Sequence, residues 1–402
     1  MNTPSTSTPV LKLKRGEDRR LRAGHLWVFS NEIDTAATPL AQFERGALVR
    51  VHTDRDQFLG FAYLNPNTLI AARIVSRDAD QPVDNALLQR RIAQALKLRE
   101  SLYTRPYYRL VFGESDLLPG LIVDRYGDLL VAQSSTVGMD FMRPAIESAL
   151  AAVIGEHRLV WKNDTGARDL EGLPRVVEAA GAAAVPRDVT VREKAATFTA
   201  PLVDGQKTGW FYDQARNRER LQRYLPTGAR VLDVCSYVGA WSVSAMIAGA
   251  SDALCVDSSA HALEYAERNA MVNGVRIRTR RSDAFDVLRS LATEGARFDV
   301  VILDPPAFIK RKKDAPQGQA AYRKLNQLAL ALLDDSGLLV TNSCSYHLTA
   351  EELLMALQSA ARSSERFVQV LEQGGQSPDH PVHPAIPETR YLKTLFCRVT
   401  RD

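Results

Sequence analysis

A hydrophobic segment that ends in residues 304–308, with the sequence Asp-Pro-Pro-Ala-Phe, carries side chains well suited to chemistry on a flat nitrogen heterocycle. The acidic group of Asp304 can hydrogen-bond an amino or ring-nitrogen edge, the two prolines stiffen the turn, and Phe308 can stack on the ring. Cys344, which lies between two serines, would add a nucleophile in its reduced form. Together these residues predict an enzyme that modifies a nucleobase.

Asp304 is the last of four aspartates that each close a predicted strand, at spacings of 24, 26 and 21 residues: Asp233, Asp257, Asp283 and Asp304. The carboxyl ends of parallel strands meet at one edge of a sheet, and such sheets bind ligands there. Asp257 is placed to accept hydrogen bonds from both hydroxyls of a ribose. For Asp283 the competing interpretation is a cap on the following helix.

The turn at residues 233–239 contains a single glycine. A pyrophosphate needs several glycines for close backbone approach, so NAD and FAD are disfavoured. S-adenosylmethionine has no phosphate and carries a positive sulfonium, and it therefore suits this acidic edge better. The alternative is a nicotinamide enzyme with a degenerate turn.

The elements around these aspartates alternate between apolar strands and helices, which predicts a doubly wound, Rossmann-like α/β sheet in a domain covering residues 201–402. The predicted strands lie near residues 230–233, 253–257, 277–280, 300–303 and 338–342. The predicted helices lie near residues 240–248, 259–272 and 285–293, and a further one begins near residue 350.

The preceding sequence predicts two further domains. Short β-like runs at residues 11–13, 47–51, 58–63 and 70–75 indicate a β-rich barrel in residues 1–77. Residues 78–200 are expected to form a central α+β domain, because apolar residues recur at helical spacing over residues 83–103 and strands follow. Its other predicted elements are a helix near residues 138–154 and strands near 158–163, 188–193 and 196–199.

The composition of the 402 residues is that of an ordinary folded chain, with 45% hydrophobic residues and a net charge of +4. No long apolar run or signal segment is evident, so a cytoplasmic protein without a membrane partner is expected. The four cysteines are widely spaced and contain no C-x-x-C pair, which favours free thiols. His380 and His383 have metal-like spacing, but their proline-rich surroundings favour a loop, and no metal is predicted.

Two clusters of basic residues stand out, in residues 12–22 and 310–313. The second cluster directly follows the Asp-Pro-Pro motif, which favours RNA phosphate contacts over the alternative of a merely solvated face. The predicted RNA-binding residues are Lys12, Lys14, Arg15, Arg19, Arg20, Lys310, Arg311, Lys312 and Lys313.

Residues 206–214, 233–239 and 304–308 together resemble the bacterial 23S ribosomal RNA methyltransferases that make 5-methylcytosine. The resemblance spans nearly the whole chain. Residues 24–33 resemble the start of that family's PUA RNA-binding domain, residues 112–125 its central domain, and residues 387–393 its C-terminal strand. Two departures are Ala215, where the family usually has arginine, and Asn342, where it commonly has cysteine.

The resemblance implies a class I methyltransferase that binds S-adenosylmethionine and acts on 23S ribosomal RNA or a pre-ribosomal particle. The oligomeric state is left open, with a homodimer as one option. The cofactor-binding residues it implies are Gln206, Phe211, Asp213, Asp233, Ser236, Gly239, Asp257, Asp283, Asp304 and Pro305.

Carbon-5 of cytosine is a weak nucleophile, so a thiolate must first add to carbon-6. Cys344 is the predicted nucleophile, because it follows a strand and precedes a helix, where a thiol pKa can be lowered. Asp304 is the second predicted catalytic residue and would hold the base, with Phe308 or Tyr346 stacked on it. Pro306 occupies the place of a second cysteine found in many such enzymes, which leaves the proton-abstracting base unassigned.

Two alternatives remain open at this point. The Asp-Pro-Pro-aromatic motif also serves enzymes that methylate the exocyclic amine of guanine or adenine, and these need no cysteine. In that case Cys344 would be a small core residue. A further alternative is a non-catalytic RNA-binding protein that uses residues 10–75.

Overall fold

The computed structural model describes residues 8–81, 83–181 and 183–401. The chain divides into two units by its internal contacts. The first unit contains the described residues up to Arg187, together with Leu202–Thr208 and Asp379–Thr389. The second unit contains Asp188–Pro201, Gly209–Pro378 and the described residues from Arg390 onward.

The first sheet of the first unit has five strands, as the alternating apolar pattern of the N-terminal residues predicts. Its order is β1-β3-β4-β5-β2, with β1 parallel to β3. Alternate residues such as Leu11, Val49 and Val51 are fully buried in its core. The elements are β1 (Val10–Lys12), α1 (Arg19–Arg22), β2 (Trp27–Phe29), β3 (Leu48–His52), β4 (Phe58–Leu64) and β5 (Ile70–Ser76).

The second sheet of the first unit has the order β10-β9-β8-β7-β6 and packs against helices. The side chain of Asp84 caps α2 by accepting from the N–H of Leu87 at 3.0 Å. The elements are α2 (Asn85–Leu102), β6 (Tyr107–Phe112), β7 (Leu121–Tyr126), β8 (Leu129–Ser134), α3 (Val137–Phe141), α4 (Arg143–Ile154), β9 (Arg158–Asn163), α5 (Ala167–Glu171) and β10 (Val176–Ala179).

The second unit alternates strands and helices after an initial hairpin. Its strands are β11 (Asp188–Glu193), β12 (Ala196–Pro201), β13 (Arg230–Val234), β14 (Asp252–Asp257), β15 (Arg278–Arg281), β16 (Phe298–Leu303), β17 (Leu333–Ser343), β18 (Arg366–Gly375) and β19 (Lys393–Arg401). Its helices are α6 (Ala215–Tyr224), α7 (Ala240–Ile247), α8 (Ala260–Val272), α9 (Ala284–Thr293), α10 (Ala315–Leu330) and α11 (Ala350–Ser363).

The large sheet of this unit has the order β15-β14-β13-β16-β17-β19-β18. Its first five strands are parallel, and β19 runs antiparallel to both neighbours. The strand order reverses direction between β13 and β16. Because these strands are parallel, the carboxyl ends of β13, β14, β16 and β17 share one edge of the sheet. This arrangement confirms the predicted doubly wound, Rossmann-like fold.

The chain passes between its two units near the predicted domain boundary at residue 200. The hairpin of β11 and β12 belongs to the second unit, because the main chain of β12 is bound by asparagines of α8. The N–H of Thr197 donates to Asn273 Oδ1 at 2.9 Å, and the N–H of Thr199 donates to Asn269 Oδ1 at 2.7 Å. The division of the earlier residues into a barrel and a central domain remains a prediction.

Short 3-10 helices complete the secondary structure, at Ser30–Glu32, Leu40–Gln42, Gly113–Asp116, Tyr212–Gln214, Lys312–Asp314 and Pro387–Thr389. Within the described part of the chain, none of the helices has the length and apolar character needed to cross a membrane.

Candidate active site

The four predicted strand-end aspartates lie around the turn after β13. The charges of Asp257, Asp304, Asp233 and Asp283 all add to the effect of burial in raising the pKa of the Cys235 thiol. The main chain places the strand ends side by side, because the N–H of Asp304 donates to the carbonyl of Val234 at 3.1 Å and the N–H of Ser282 donates to that of Asp257 at 3.0 Å. The structure therefore brings these carboxyl groups to one edge of the sheet. A concentration of negative charge of this kind favours a positively charged ligand.

Asp233, at the end of β13, is fully buried. Its Oδ2 accepts from the hydroxyl and the N–H of Ser242, at 2.9 and 3.2 Å, whereas its Oδ1 has no hydrogen-bond partner among the described residues. Burial raises the pKa of Asp233 to about 7, and the charges of Asp304 and Asp257 add to this rise. An unsatisfied carboxylate oxygen in a buried site is costly and indicates a place for a ligand.

The turn between β13 and α7 has an unusual backbone. Cys235 and Tyr237 adopt φ values of 63° and 49°, in the left-handed region that side chains with a Cβ rarely occupy. The turn is held by Asp257, whose Oδ2 accepts from the N–H of Tyr237 at 2.9 Å. Gly239 also has a positive φ, of 77°, and a Cβ there would lie 2.8 Å from that of Ala266. The backbone conformation and the packing of the turn therefore require glycine at position 239.

The remaining predicted cofactor residues are placed differently. Asp283 is exposed and caps α9, because its Oδ1 accepts from the N–H of Phe285 at 2.8 Å, as the capping interpretation predicted. Ser236 is buried, and its N–H donates to the carbonyl of Val256 at 3.0 Å. The ring of Phe211 lies edge-on to Tyr237, with centroids 5.4 Å apart. Gln206 belongs to the first unit and is exposed.

Asp304, which follows β16, has both carboxylate oxygens engaged. Its Oδ1 accepts from Gln214 Nε2 and its Oδ2 from Trp241 Nε1, each at 2.9 Å. Burial raises the pKa of Asp304 to about 6, and these two hydrogen bonds oppose the rise. Asp213 contributes a further negative charge, and its Oδ2 accepts from the Tyr391 hydroxyl at 2.6 Å.

A chain of buried hydrogen bonds continues from Gln214. Asn217 Nδ2 donates to Gln214 Oε1 at 2.7 Å and to Thr394 Oγ1 at 3.0 Å. Thr394 then donates to Asn342 Oδ1 at 2.6 Å, and Asn342 Nδ2 donates to the carbonyl of Leu303 at 2.9 Å. This network fixes the end of β16 and hence the orientation of Asp304.

Sequence reasoning did not identify Gln214 and Trp241 individually. Gln214 stood at the end of the segment that carried the family resemblance. Trp241 lies in the first turn of α7, and an indole N–H in a buried helix needs an acceptor, so the nearby aspartates were a usable signal.

Cys344 lies in the loop after β17 and is half-buried. Its Sγ is 3.9 Å from the carbonyl oxygen of Pro305, so the structure brings the predicted nucleophile beside the Asp-Pro-Pro motif. In contrast, Cys255 and Cys397 are buried within strands, where desolvation raises their thiol pKa values. A neutral, enclosed thiol is a poor nucleophile.

The two aromatic residues predicted to stack on a base have different surroundings. The Phe308 ring packs against Tyr322, with centroids 4.8 Å apart, and against Phe285 at 6.1 Å. Tyr346 is 38% exposed and lies 5.1 Å from the ring of His347. Tyr346 is therefore the more accessible of the two.

The predicted RNA-binding residues are mostly accessible. Lys310, Arg311, Lys312 and Lys313 are all exposed, although Arg311 is paired with Asp314 at 3.0 Å. In the N-terminal cluster, Lys14, Arg15 and Arg19 are exposed. Lys12 and Arg20 form ion pairs, with Asp56 at 2.9 Å and Glu32 at 2.6 Å respectively.

The carboxyl edge of the large sheet fits an adenosyl sulfonium cofactor. The charges of Asp304 and Asp257 act on Asp233, and Asp233 Oδ1 is left for a donor or a positive charge. Among the residues that the structure describes, no group of three or more histidines, cysteines and acidic residues is arranged to hold a metal ion.

The comparison with protein families agrees with this geometry. Residues 183–397 match the model described as an S-adenosylmethionine-dependent methyltransferase, and residues 11–77 match a PUA-like domain. The chain belongs to the S-adenosylmethionine-dependent methyltransferase family. The cofactor of this methyltransferase is S-adenosylmethionine, and the N-terminal β-rich sheet is its PUA-like domain.

The methyltransferase is similar to known proteins over nearly its whole length. Ribosomal RNA large subunit methyltransferase I of Shigella boydii is 33% identical over 97% of this chain and 99% of its own length. The protein of the same name from Erwinia tasmaniensis is 34% identical over 98% of this chain and its full length. Among solved structures, the methyltransferase SMU.776 complexed with SAH has the same fold, with a TM-score of 0.83 at 20% identity over 97% of this chain and 100% of that one.

Proposed function

We propose that this methyltransferase transfers a methyl group to carbon-5 of a cytosine in 23S ribosomal RNA through a covalent adduct with Cys344. The observation that carries the proposal is the approach of Cys344 Sγ to the Pro305 carbonyl, at 3.9 Å, directly beside Asp304. The names of the relatives and the PUA-like domain support a large-subunit RNA substrate, either free or in a pre-ribosomal particle.

The covalent route uses the Cys344 thiolate as follows. The sulfur adds to carbon-6 of cytosine, and the electron pair of the carbon-5 to carbon-6 double bond becomes available at carbon-5. Bound S-adenosylmethionine would supply an electrophilic methyl group to carbon-5, and its sulfur would keep the electron pair of the broken bond and leave as S-adenosylhomocysteine. Loss of the carbon-5 proton to a base then restores the double bond and expels the Cys344 thiolate.

Asp304 would hold the amino edge of the cytosine. Each of its oxygens already accepts one hydrogen bond, from Gln214 or Trp241, and keeps a second lone pair for the base. Because both donors fix the carboxylate, the base would be oriented before the thiolate attacks. The cofactor residues proposed with this mechanism are Gln206, Phe211, Asp213, Asp233, Ser236, Gly239, Asp257, Asp283, Asp304 and Pro305.

RNA would be held chiefly through its phosphates. The exposed Lys310–Lys313 loop directly follows the Asp-Pro-Pro motif, and the exposed residues of the N-terminal cluster lie in the PUA-like domain. A cytosine within folded RNA must be unpaired or flipped to reach Cys344.

Methylation of an exocyclic amine is the second candidate, because the same motif can hold guanine or adenine. That reaction gives no role to Cys344. The position of the thiol beside Pro305 therefore favours carbon-5 over the amine.

Replacing Cys344 with alanine separates the two reactions. We expect Cys344→Ala to lose methyl transfer to RNA by at least about a thousandfold while S-adenosylmethionine binding persists. Cys397→Ala, which alters a thiol buried in β19, is the matched control and should retain activity. Mass spectrometry of digested RNA should find 5-methylcytidine, and retained methylation by Cys344→Ala would instead support the amine.

A further inference from the structure

Lys393 is a buried lysine beside the loop that carries Cys344. It begins β19 and pairs with Ser343, the last residue of β17, and 8% of it is exposed. Its Nζ donates to the carbonyl of Ser345 at 2.5 Å and to that of Tyr391 at 2.8 Å. The residue that follows Cys344 is thus tied directly to the Lys393 ammonium.

This ammonium forms no ion pair with a carboxylate among the described residues. Glu352 is within electrostatic reach, but its Oε2 accepts from the N–H of Thr349 at 2.7 Å and its Oε1 from Gln319 at 2.9 Å. Lys162, the other buried lysine of the described chain, does have an acidic partner, Asp164, at 2.5 Å. Burial of a cation without a counterion is costly, so Lys393 requires a different explanation.

The charged groups that face Lys393 identify the anion it can meet. Burial lowers the pKa of Lys393 to about 8, negative charge at Cys344 and Glu352 opposes this, and Arg390 adds to it. Tyr322, which contacts Ser345 Oγ at 2.9 Å, has its pKa raised by burial and by charge at Cys344. Since Glu352 is engaged elsewhere and Tyr322 is held neutral, the Cys344 thiolate is the anion left for Lys393.

We propose that Lys393 is a positioning residue whose ammonium stabilises the thiolate form of Cys344 while its hydrogen bond to Ser345 holds the loop. A positive charge near a thiol favours the ionised form and lowers the thiol pKa. The thiol proton leaves to solvent before RNA binds, so the nucleophile is ready when the base arrives. The inference rests on the proposed function in taking Cys344 as the nucleophile.

The wild-type chain provides the first test. The rate of Cys344 alkylation by iodoacetamide is measured against pH by mass spectrometry of the Cys344 peptide, which separates it from the other three thiols. We expect a midpoint at least about one unit below the ordinary thiol value of about 8.5. A wild-type midpoint at or above that value would overturn the proposal, whatever the variants do.

Three substitutions then separate charge from hydrogen bonding. Lys393→Met removes both, Lys393→Gln keeps an amide donor without charge, and Lys393→Arg keeps the charge. We expect the midpoint to rise by about one unit or more in the Met and Gln variants, a roughly tenfold slower alkylation at pH 7, and to stay near wild type in the Arg variant. A purely structural lysine would leave the midpoint unchanged in folded Met and Gln variants, and that result excludes the proposal.

Failure of this inference can be told from failure of the proposed function. The alkylation assay contains neither RNA nor a methyl donor, and S-adenosylmethionine binding by each variant reports its folding. Retained RNA methylation by Cys344→Ala would refute the covalent mechanism without changing the measured thiol midpoints. An unchanged midpoint in the Lys393 variants would refute only the role of Lys393.

Discussion

At the scale of single residues, two aspartates at the carboxyl edge of the large sheet lie where their charged form is disfavoured. Asp233 and Asp304 both have raised pKa values, of about 7 and about 6, because burial and neighbouring negative charges disfavour ionisation. An adenosyl sulfonium would relieve this repulsion when it binds. The unliganded protein would therefore carry an electrostatic strain that the cofactor relieves.

The variant Asp233→Asn tests whether the ionised Asp233 carboxylate destabilises the folded protein. The folded-state pKa of about 7 lies above the ordinary value of 3.8, so the folded state binds more protons and the free energy of unfolding falls as pH rises through this range. We expect Asp233→Asn to be more stable than wild type at pH 8, by about 1–4 kcal/mol, with little difference near pH 4. Urea denaturation of the unliganded proteins at both pH values measures this.

The control variant for Asp233→Asn is Asp299→Asn, for which we expect the opposite change in the free energy of unfolding. Hydrogen bonding to Arg230 lowers the pKa of Asp299, so its stabilising effect is present at neutral pH and lost in acid. Asp299→Asn should consequently destabilise the protein at pH 8. If the Asp233→Asn variant is less stable than wild type at pH 8, ionised Asp233 does not destabilise the folded protein.

At the scale of elements, the loop between β16 and α10 joins the proposed base-binding motif to three exposed lysines that form no ion pair among the described residues: Lys310, Lys312 and Lys313. We expect their joint replacement by alanine to weaken RNA binding and to make the plot of log affinity against log salt shallower by about two units. Filter binding across a KCl series measures the slope. Replacing the exposed Lys97, Arg276 and Arg362 instead removes equal charge elsewhere, and equal effects in both variants would show that the loop is merely solvated.

Local sequence patterns predicted the parallel strands and the aspartates that close them, because strand periodicity and strand ends are short-range features. The helix α10 was not predicted, since its first turns contain Pro316 and Gly318, which disfavour helix formation. The roles of Gln214 and Lys393 could not be predicted either. Lys393 lies 48 residues beyond Ser345 along the chain, and only the pairing of β17 with β19 brings them together.

At the scale of the whole molecule, the chain enters each unit more than once. The segment Asp379–Thr389 returns to the first unit after the sheet of the second unit is nearly complete. There the N–H of Arg109 donates to Asp379 Oδ2 at 2.9 Å, and Ile386 is fully buried. Local sequence patterns cannot reveal long-range returns of this kind, and the predicted domain boundaries remain predictions.

Asp379→Ala should destabilise the first unit. The substitution leaves the N–H of Arg109 and the ring nitrogen of His380 without the carboxylate that each contacts at 2.9 Å. We expect a loss of about 2–3 kcal/mol, seen as a lower Tm in calorimetry. The exposed Asp204→Ala is the control, and an equal Tm in the two variants would show that the returning segment adds no stability.

The proposed covalent adduct between Cys344 and cytosine can be trapped with RNA that contains 5-fluorocytidine. Fluorine at carbon-5 cannot leave as a proton, so the methylated intermediate stays attached to Cys344. With S-adenosylmethionine present, we predict a complex of wild-type protein and RNA that survives denaturing electrophoresis, and no complex with Cys344→Ala. If the wild-type protein methylates the unmodified RNA but forms no such complex with the fluorinated RNA, the covalent adduct with Cys344 is ruled out.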